Sequence, residues 1–443
     1  MATKGKDLDI KVEYVTRVEG HGNIVVNVKN GNIEKCEFHV VETPRFFEGM
    51  LRGRSILEAQ HITSRICGIC SCAHSLASIQ AAEDAVGFVP SEQTIKLRKL
   101  MLDCEFLDSH LLHIYLLVFP DVVGVGSFVP LVKKNPSLVK KILGAKKRIN
   151  DVCDILVGRH VHPISAVVGG FTKLPRPSDL DRMLEILEGM RKDMDDFVDV
   201  AMDFKFPEFY RETEYVALVN ESDEYPLLEG NIGSSDGKNF NKKDYKLATN
   251  EFIDPRSSAK FTKLSRESYM VGALARFNLN HKKLHKKAKN LVEKIKLKAP
   301  CFNPFMNTMA QVVELVHCYE HAIDLINELK KTGIDYSEEI VVGINEKNRI
   351  AVKPGDGVGA IEAPRGILFH NYEIDDRGII RHANCIIPTN QNINNIEYDL
   401  MKFLPEIINE PKQQIQLKLE MLVRAYDPCI SCSAHYLNVE FIE

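Results

Sequence analysis

Arg65-Ile66-Cys67-Gly68-Ile69-Cys70 lies near the amino terminus of the chain, and Asp427-Pro428-Cys429-Ile430-Ser431-Cys432 lies near its carboxyl terminus. Each stretch has two residues between its cysteines, a spacing that lets both sulfurs bind one metal ion. Almost the whole chain separates the two pairs, so only the finished fold can bring them together. Four thiolates form a soft donor set, which suits zinc, an iron–sulfur centre or nickel.

Length and composition indicate a large globular protein. The chain has 443 residues, 44% of them hydrophobic. A chain of this length typically forms about two to three domain-sized units. Its net charge of −4 favours neither nucleic acid nor an acidic membrane surface as a partner. No apolar run reaches the roughly 18 residues of a membrane span, and the first residues lack a signal peptide's apolar stretch. We therefore expect a cytoplasmic location, although export bound to a signal-bearing partner fits the same sequence.

The other cysteines do not extend the metal motif. The chain has 11 cysteines, an odd number, and a disulfide framework is not expected in a reducing compartment. The cysteines outside the two pairs are interpreted as small core residues: Cys36, Cys72, Cys104, Cys153, Cys301, Cys318 and Cys385. We thus expect one metal centre and no iron–sulfur cluster in this chain. Any electrons must leave through another protein.

Periodicity predicts an α+β fold that is mostly helical. Residues 9–42 alternate apolar and polar residues around a turn at Asn30-Gly31-Asn32, which predicts an antiparallel sheet. Helical patterns cover about 55–86, 92–118, 134–158, 178–204, 264–296, 304–332 and 408–422. The first of these is interrupted at Cys67-Gly68, so the first cysteine pair lies at a helix start, where N–H groups favour thiolate. Short strands are expected over 340–388, broken by Pro354-Gly355-Asp356-Gly357 and by Ala363-Pro364-Arg365-Gly366.

These patterns divide the chain into five parts, with a central bundle of long helices. The predicted parts are an N-terminal β region (1–50), a helical core with the first cysteine pair (51–204), a peripheral insertion (205–262), a second piece of helical core (263–340) and a β-rich and C-terminal helical region with the second pair (341–443). The lysines between Lys282 and Lys298 are interpreted as a solvated helix face.

Further motifs accompany the cysteine pairs. In chain order they are Arg17-Val18-Glu19-Gly20-His21-Gly22, Pro44-Arg45-Phe46-Phe47-Glu48, the first cysteine motif continued through Ser71-Cys72-Ala73 to His74, His162-Pro163 with Gly169-Gly170, Glu362-Ala363-Pro364-Arg365-Gly366, Ile387-Pro388-Thr389 and Asp427-Pro428-Cys429. In these motifs the chain resembles, over its whole length, the large catalytic subunit of nickel–iron hydrogenases. Phe46-Phe47-Glu48 and Cys70-Ser71-Cys72 resemble the soluble cytoplasmic branch most.

The resemblance implies a role for each site residue. Cys67 and Cys429 would be terminal nickel ligands, and Cys70 and Cys432 would bridge nickel and iron. In the family the iron also carries carbon monoxide and cyanide. Arg365 and Thr389, next to Pro388, would hydrogen-bond the cyanides from two sides, and Asp427 would hold Arg365 in place.

The implied reaction is the reversible heterolytic cleavage of H2. The Cys429 thiolate would take the proton and hand it to Glu19. Glu48, the backbone carbonyl of Cys385 and His435 match the family's second metal site, usually magnesium or another divalent ion.

The expected partners follow from the same resemblance. Electrons would pass to an iron–sulfur small subunit and then, through further subunits, to NAD(P), a deazaflavin, ferredoxin or a heterodisulfide. The chain has no convincing glycine-rich dinucleotide fingerprint, so the acceptor chemistry lies elsewhere.

The residues taken one by one have simpler interpretations. Glu19 fits a surface carboxylate and Arg365 a turn residue. His74 fits either a core histidine or a hydrogen-bond partner of a metal-binding cysteine, and we favour the second. His110 and His113 fit a helix face near the site, where either role is possible.

Two features depart from many relatives. Residues 436–443 follow His435, where the relatives are cut; the tail is either a short propeptide or a retained segment. Ser109 falls where membrane-associated relatives have an acidic residue, although the alignment could shift to Asp108.

Two rival hypotheses stay open. One is a non-catalytic structural subunit of an electron-transfer assembly, such as the homologous subunit of the respiratory quinone-reducing complex, which lacks the cysteine pairs. The other is a four-cysteine zinc scaffold, although such sites usually close a small local loop.

Overall fold

The amino-terminal alternation folds into a three-stranded antiparallel sheet. The computed structural model describes residues 7–43, 46–340 and 352–434. The strands Leu8–Val12 (β1) and Asn32–Val40 (β3) flank Gly22–Lys29 (β2). Asn30 and Gly31 form the two-residue turn with φ of 50° and 79°, the positive values that a tight hairpin requires. The predicted sheet and its turn are confirmed.

About half of the chain is helical. The α-helices are Phe47–Leu51 (α1), Ala59–Thr63 (α2), Ser71–Val86 (α3), Glu92–Leu112 (α4), Phe119–Val122 (α5), Phe128–Lys134 (α6), Pro136–Val157 (α7), Pro177–Glu188 (α8), Arg191–Met202 (α9), Tyr245–Thr249 (α10), Ala273–Asn280 (α11), Lys286–Ile295 (α12), Asn307–Thr332 (α13), Pro388–Ile407 (α14), Lys412–Ala425 (α15) and Ile430–Ser433 (α16). Short 3-10 turns cover Ser64–Ile66, Lys242–Asp244, His281–Lys283, Pro304–Met306 and Tyr336–Glu338, and a π turn covers His113–Val118.

The remaining strands form small sheets. They are Ala166–Val167 (β4), Gly170–Phe171 (β5), Glu214–Val219 (β6), Asn231–Ser234 (β7), Asn239–Phe240 (β8), Phe252–Ile253 (β9), Lys260–Phe261 (β10), Tyr269–Met270 (β11), Gly355–Ala363 (β12), Gly366–Ile374 (β13) and Ile380–Ile386 (β14). β12, β13 and β14 form an antiparallel sheet, and β11, β6, β7 and β8 form a mixed one. Around them α4 packs on α7 and α13, and α13 also packs on α8 and α12. The fold is therefore α+β, as predicted.

The predicted break at Pro354-Gly355-Asp356-Gly357 is wrong, because β12 begins at Gly355 and continues to Ala363. Its alternate glycines lie against the backbone of α3. A Cβ at Gly357 would lie 2.1 Å from the Ala81 carbonyl oxygen, and one at Gly359 would lie 2.0 Å from that of Ala77. The glycines thus serve close helix–strand packing instead of a turn. This contact fixes α3, which follows the first cysteine pair, against the hairpin that carries Arg365.

Helix α14 was not predicted, and the helix expected at 408–422 is α15, at Lys412–Ala425. The start of α14 has polar residues at buried positions, which hides its helical periodicity. These side chains bond to the backbone of other segments: Asn390 donates to the carbonyls of Lys260 and Ser433, and Gln391 donates to that of Ile367. Buried amides, not apolar side chains, therefore anchor this helix.

The range predicted as a peripheral insertion, 205–262, contains a buried strand. β6 is buried in all but its last residue and pairs with β11 and β7. The Leu218 N–H also donates to Glu362 Oε1 at 2.7 Å. This part of the range belongs to the core, whereas the division of the chain into five parts stays a prediction.

Within the part of the chain that the structure describes, no helix combines the length and apolar character needed to cross a bilayer.

Replacing Gly357 with alanine tests the helix–strand contact. Because the added Cβ would meet the backbone of α3, we expect the free energy of unfolding to fall by about 3 kcal/mol. Gly144→Ala is the matched control, since Gly144 lies in α7 with open space around its Cβ position. That variant should be stabilised by up to about 1 kcal/mol. Equal effects of the two changes in denaturant unfolding would refute the packing argument.

Candidate metal centre

The two cysteine pairs meet in the interior. The Sγ atoms of Cys67, Cys70, Cys429 and Cys432, called the cysteine cluster below, all lie within 4.8 Å of one another. Cys429 Sγ is 3.4 Å from Cys67 Sγ and 2.7 Å from Cys432 Sγ. All four side chains are buried. Among the residues described, this is the one group of cysteine, histidine and acidic side chains with such metal-binding proximity.

The first pair lies in a short loop between the 3-10 turn Ser64–Ile66 and α3. The N–H groups of Ile69 and Cys70 donate to Cys67 Sγ at 3.3 and 3.2 Å. His162 spans the outside of this loop, with its N–H donating to Ser71 Oγ and its Nδ1 2.8 Å from the Ser64 carbonyl oxygen. The predicted helix start is confirmed, and the half-buried His162 supports the loop from outside.

The second pair follows a sharp turn at the end of α15. Asp427 adopts a left-handed conformation, with φ of 52°, and Cys429 precedes the short helix α16. The Cys429 N–H donates to Thr389 Oγ1 at 2.9 Å. Thr389 therefore accepts from the cysteine loop and keeps its own hydroxyl hydrogen for another acceptor. Pro388, beside it, begins α14.

Glu19 lies directly against the second pair. Its backbone carbonyl accepts from the Ile430 N–H at 2.8 Å, and its Oε2 accepts from the Ser431 N–H at 3.0 Å. The Cys429 thiol donates to the same Oε2 at 3.2 Å. Gly20, with φ of 83°, permits this approach, because a Cβ there would lie 2.6 Å from the Ser431 nitrogen. Glu19 is thus a direct hydrogen-bond partner of Cys429.

A buried ion cluster joins the Glu19 segment to α15. Asp121 pairs with both Arg17 and Arg424. Arg17 also donates to the Leu117 carbonyl, and Arg424 donates to the Thr16 carbonyl at 2.9 Å. One carboxylate therefore ties the amino-terminal motif to the helix that precedes Asp427.

Arg365 is buried at the tip of the β12–β13 hairpin. Its Nη2 donates to Asp427 Oδ1 at 2.8 Å, as expected from the sequence, and its Nη1 donates to Ser109 Oγ at 3.3 Å. Burial opposes the charge, but Asp427 and the thiolates of Cys429, Cys70 and Cys67 raise the pKa of Arg365 above its ordinary value. Its Nε is buried without a hydrogen-bond partner among the residues described.

Of the two candidates, Ser109 is the one that contacts Arg365. Asp108 pairs instead with Lys146 at 2.5 Å. The residue beside Arg365 is therefore a serine.

Arg276, which no sequence motif indicated, holds the Arg365 hairpin by its backbone. Its guanidinium donates to the carbonyls of Ala363 and Pro364 at 3.0 and 2.8 Å. It also pairs with Glu314 and Glu362, and all three side chains are at most 1% exposed. Burial alone would raise the pKa of Glu314, but the charge and hydrogen bonds of Arg276 lower it to about 2. Burial raises the pKa of Glu362 to about 7.

The histidines occupy the surroundings of the cluster. His74 Nδ1 lies 3.2 Å from His370 Nε2, and His370 continues to the Tyr372 hydroxyl. These contacts favour a satisfied core histidine, and a role for His74 toward a cysteine stays a prediction. His110 contacts Glu314 at 2.9 Å.

The predicted second metal site is only partly described. The Cys385 N–H donates to Glu48 Oε1 at 2.9 Å, so two of the three expected residues are neighbours. Lys260 Nζ lies 3.2 Å from the same oxygen and 3.6 Å from Glu251. His435, the tail 436–443 and Pro44-Arg45 lie outside the described residues.

The cluster has the chemistry of a soft metal site. Hydrogen bonds with Cys429, Cys432 and Cys70 lower the pKa of Cys67 well below its ordinary value, whereas burial raises those of Cys429 and Cys432. Binding of a metal must therefore release protons. The four sulfurs fit a nickel–iron centre. The Nε–H of Arg365, for which the described part of the chain supplies no acceptor, fits an additional group bound there.

Comparisons with known proteins agree with this site. A family model described as nickel-dependent hydrogenase matches residues 45–142 and 218–435, more than half of the chain. A second, described as HoxL-like, matches residues 9–43. Sulfhydrogenase 1 subunit alpha of Pyrococcus furiosus is 35% identical over 434 residues, which cover 98% of this chain and 99% of that protein.

More distant relatives and solved structures are also hydrogenases. The NAD-reducing hydrogenase HoxS subunit beta of Cupriavidus necator is 28% identical over 473 residues, which cover 96% of this chain and 94% of that protein. An NAD+-reducing [NiFe]-hydrogenase in its H2-reduced state superposes with a TM-score of 0.84 at 25% identity, covering 98% of this chain and 100% of that one. The chain therefore belongs to the nickel-dependent hydrogenase family and is a catalytic [NiFe] hydrogenase subunit.

Proposed function

We propose that the cysteine cluster holds nickel and iron, with Cys67 and Cys429 as terminal nickel ligands and Cys70 and Cys432 as bridges. The mutual proximity of the four buried sulfurs is the observation that carries the shared metal site. The division into terminal and bridging ligands follows from the resemblance to the family. The donor set contains sulfur alone, which favours a soft transition metal over magnesium or calcium. When bound, such a centre supplies the metals that polarise H2 and accept its electrons.

The chain's own residues move the proton. The Cys429 thiolate is the base that receives it, and Glu19 Oε2, 3.2 Å away, takes it next. The Ser431 N–H and the backbone pairing with Ile430 hold the carboxylate in this position. The distance lies within reach of a sulfur hydrogen bond, so a proton can pass without a change of fold.

Arg365 and Thr389 would donate hydrogen bonds to the cyanide ligands that iron carries in this family. The unpartnered Nε–H of Arg365 and the remaining hydroxyl hydrogen of Thr389 support this role, since both donors need an acceptor in a buried site. Asp427 holds Arg365 in place through a charge-assisted hydrogen bond. Pro388 positions Thr389 as the first residue of α14.

A second, divalent cation, of which magnesium is the usual member, would bind to Glu48, the Cys385 carbonyl and His435. The proximity of Glu48 to Cys385 supports the first two ligands. The ammonium of Lys260 is paired with both Glu48 and Glu251, so the group retains net negative charge for a cation.

Electrons leave to an iron–sulfur small subunit in this proposal. The relatives are named as alpha, beta or A subunits, and among them are NAD-reducing and F420-non-reducing hydrogenases. An acceptor linked to NAD(P), a deazaflavin, ferredoxin or a heterodisulfide would bind to further subunits. All eleven cysteines are free, which supports a reducing, cytoplasmic location.

Infrared spectroscopy and elemental analysis of the complex purified with its native partners test the metal assignment. We expect nickel and iron together, with absorption bands of bound carbon monoxide and cyanide. Zinc alone would support the scaffold hypothesis. Absence of metal in the mature complex would support a non-catalytic structural subunit.

Replacing Cys429 with serine should abolish nickel-dependent H2 oxidation, because this variant loses both a nickel ligand and the proposed base. Circular dichroism and thermal unfolding should show that the fold persists. Cys301→Ser is the control, since Cys301 is partly buried outside the cluster. Equal activity of the two variants would refute the role of Cys429 as a nickel ligand and as the base.

Replacing Glu19 with glutamine should slow hydrogen–deuterium exchange by about 10²- to 10⁴-fold, the range for a positioned proton acceptor. Nickel and iron content should be unchanged, because Glu19 contacts the cluster only through a hydrogen bond. Glu13→Gln, a change at an exposed carboxylate on the same segment, serves as the control. An exchange rate equal to that of the control would exclude Glu19 from proton transfer.

A further inference from the structure

The Asp427 carboxylate has a second donor besides Arg365. Gln311, on α13, donates its Nε2–H to Asp427 Oδ2 at 3.0 Å, while Arg365 donates to Oδ1 at 2.8 Å. Each carboxylate oxygen thus has its own donor, which fixes the plane of the group. Gln311 is fully buried and takes no part in the proton transfer described above.

The oxygen of the Gln311 amide contacts His113. His113 Nδ1 lies 2.5 Å from Gln311 Oε1, and both side chains are buried. The reverse orientation would place the amide oxygen against Asp427 Oδ2, so that two acceptors would face each other in a dry interior. Such a contact leaves buried groups unsatisfied, which disfavours it.

Both ring nitrogens of His113 face acceptors. Nε2 lies 2.8 Å from the Arg424 carbonyl oxygen, which can only accept a hydrogen bond. Nδ1 faces the Gln311 amide oxygen, which also only accepts. Both nitrogens thus lie within hydrogen-bond distance of a neighbouring group, which holds the ring between α13 and the end of α15. Nε2 also lies 3.9 Å from Asp427 Oδ1.

We propose that Gln311 and His113 are positioning residues for the reaction. His113 orients the Gln311 amide, which orients Asp427, which holds Arg365 beside the cysteine cluster. The inference rests on the proposed function only in that Arg365 acts at that cluster.

Gln311→Met tests the positioning role, because methionine has nearly the same shape but no amide. We expect an unchanged nickel content and a ten- to hundredfold fall in the rate of hydrogen–deuterium exchange, the usual effect of losing a supporting hydrogen bond around a metal site. A crystal structure of this variant should show Asp427 rotated and its bond to Arg365 broken or lengthened.

Thr308→Val is the matched control. Thr308 lies one turn earlier on α13, is fully buried, and its hydroxyl has no hydrogen-bond partner among the residues described. This variant should keep both the exchange rate and the Arg365–Asp427 contact. If Thr308→Val slows exchange as much as Gln311→Met, the effect belongs to helix packing and the proposal is overturned.

Neutron diffraction from deuterated crystals tests the hydrogen bond between His113 and Gln311. We expect a deuteron on His113 Nδ1 that is directed at Gln311 Oε1. Its absence would overturn the proposed orientation of the amide. If the wild-type complex contains no nickel and shows no exchange activity, the proposed function is refuted. The crystal and neutron results would then still show whether Gln311 and His113 position Asp427. If the Gln311→Met variant keeps the positions of Arg365 and Asp427 and exchanges at the wild-type rate, only the positioning role is refuted.

Discussion

The structure depends on bringing sulfurs from opposite ends of the chain within 4.8 Å of one another in a buried place. Loop closure over almost the whole chain costs conformational entropy, so many contacts must compensate for it. The Glu19 segment pairs with the Cys429 loop, and Asp121 ties two arginines from the chain ends together. The glycines of β12 let α3 approach the sheet closely. Each of these contacts fixes one side of the cysteine cluster.

The second organising feature is a set of buried charges around Arg365. A buried guanidinium is costly unless it is paired and fully hydrogen-bonded. Asp427 pairs with Arg365, and Arg276 holds the hairpin backbone while it is itself compensated by Glu314 and Glu362. The main effect of such a network is to fix one arrangement of its side chains, and its contribution to stability is smaller. A fixed arrangement suits a site where a hydrogen-bond donor must face the cluster accurately. Within the described ranges, the Nε–H of Arg365 has no acceptor and is available to a group bound at the cluster.

Much of the fold and of the site could be predicted from the sequence, because both depend in part on patterns among neighbouring residues. Alternation gave the first sheet, and the cysteine spacing with its neighbouring motifs identified the residues that converge. The two wrong predictions, at β12 and α14, have a common cause, because both elements are stabilised by tertiary contacts. The glycines of β12 predicted a turn, whereas they allow close packing against α3. The amide-rich start of α14 hid the periodicity of a helix that is anchored by hydrogen bonds. Arg276 and the contact of Gln311 with Asp427 could not be found, since only the tertiary structure brings these groups together.

The convergence of the four cysteines on one nickel-containing centre can be tested by X-ray diffraction at the nickel absorption edge, from crystals of the chain with its small-subunit partner. We expect a single nickel peak enclosed by the Sγ atoms of Cys67, Cys70, Cys429 and Cys432. A peak at the zinc edge in that position, or cysteine pairs too far apart to share one metal centre, would refute this convergence.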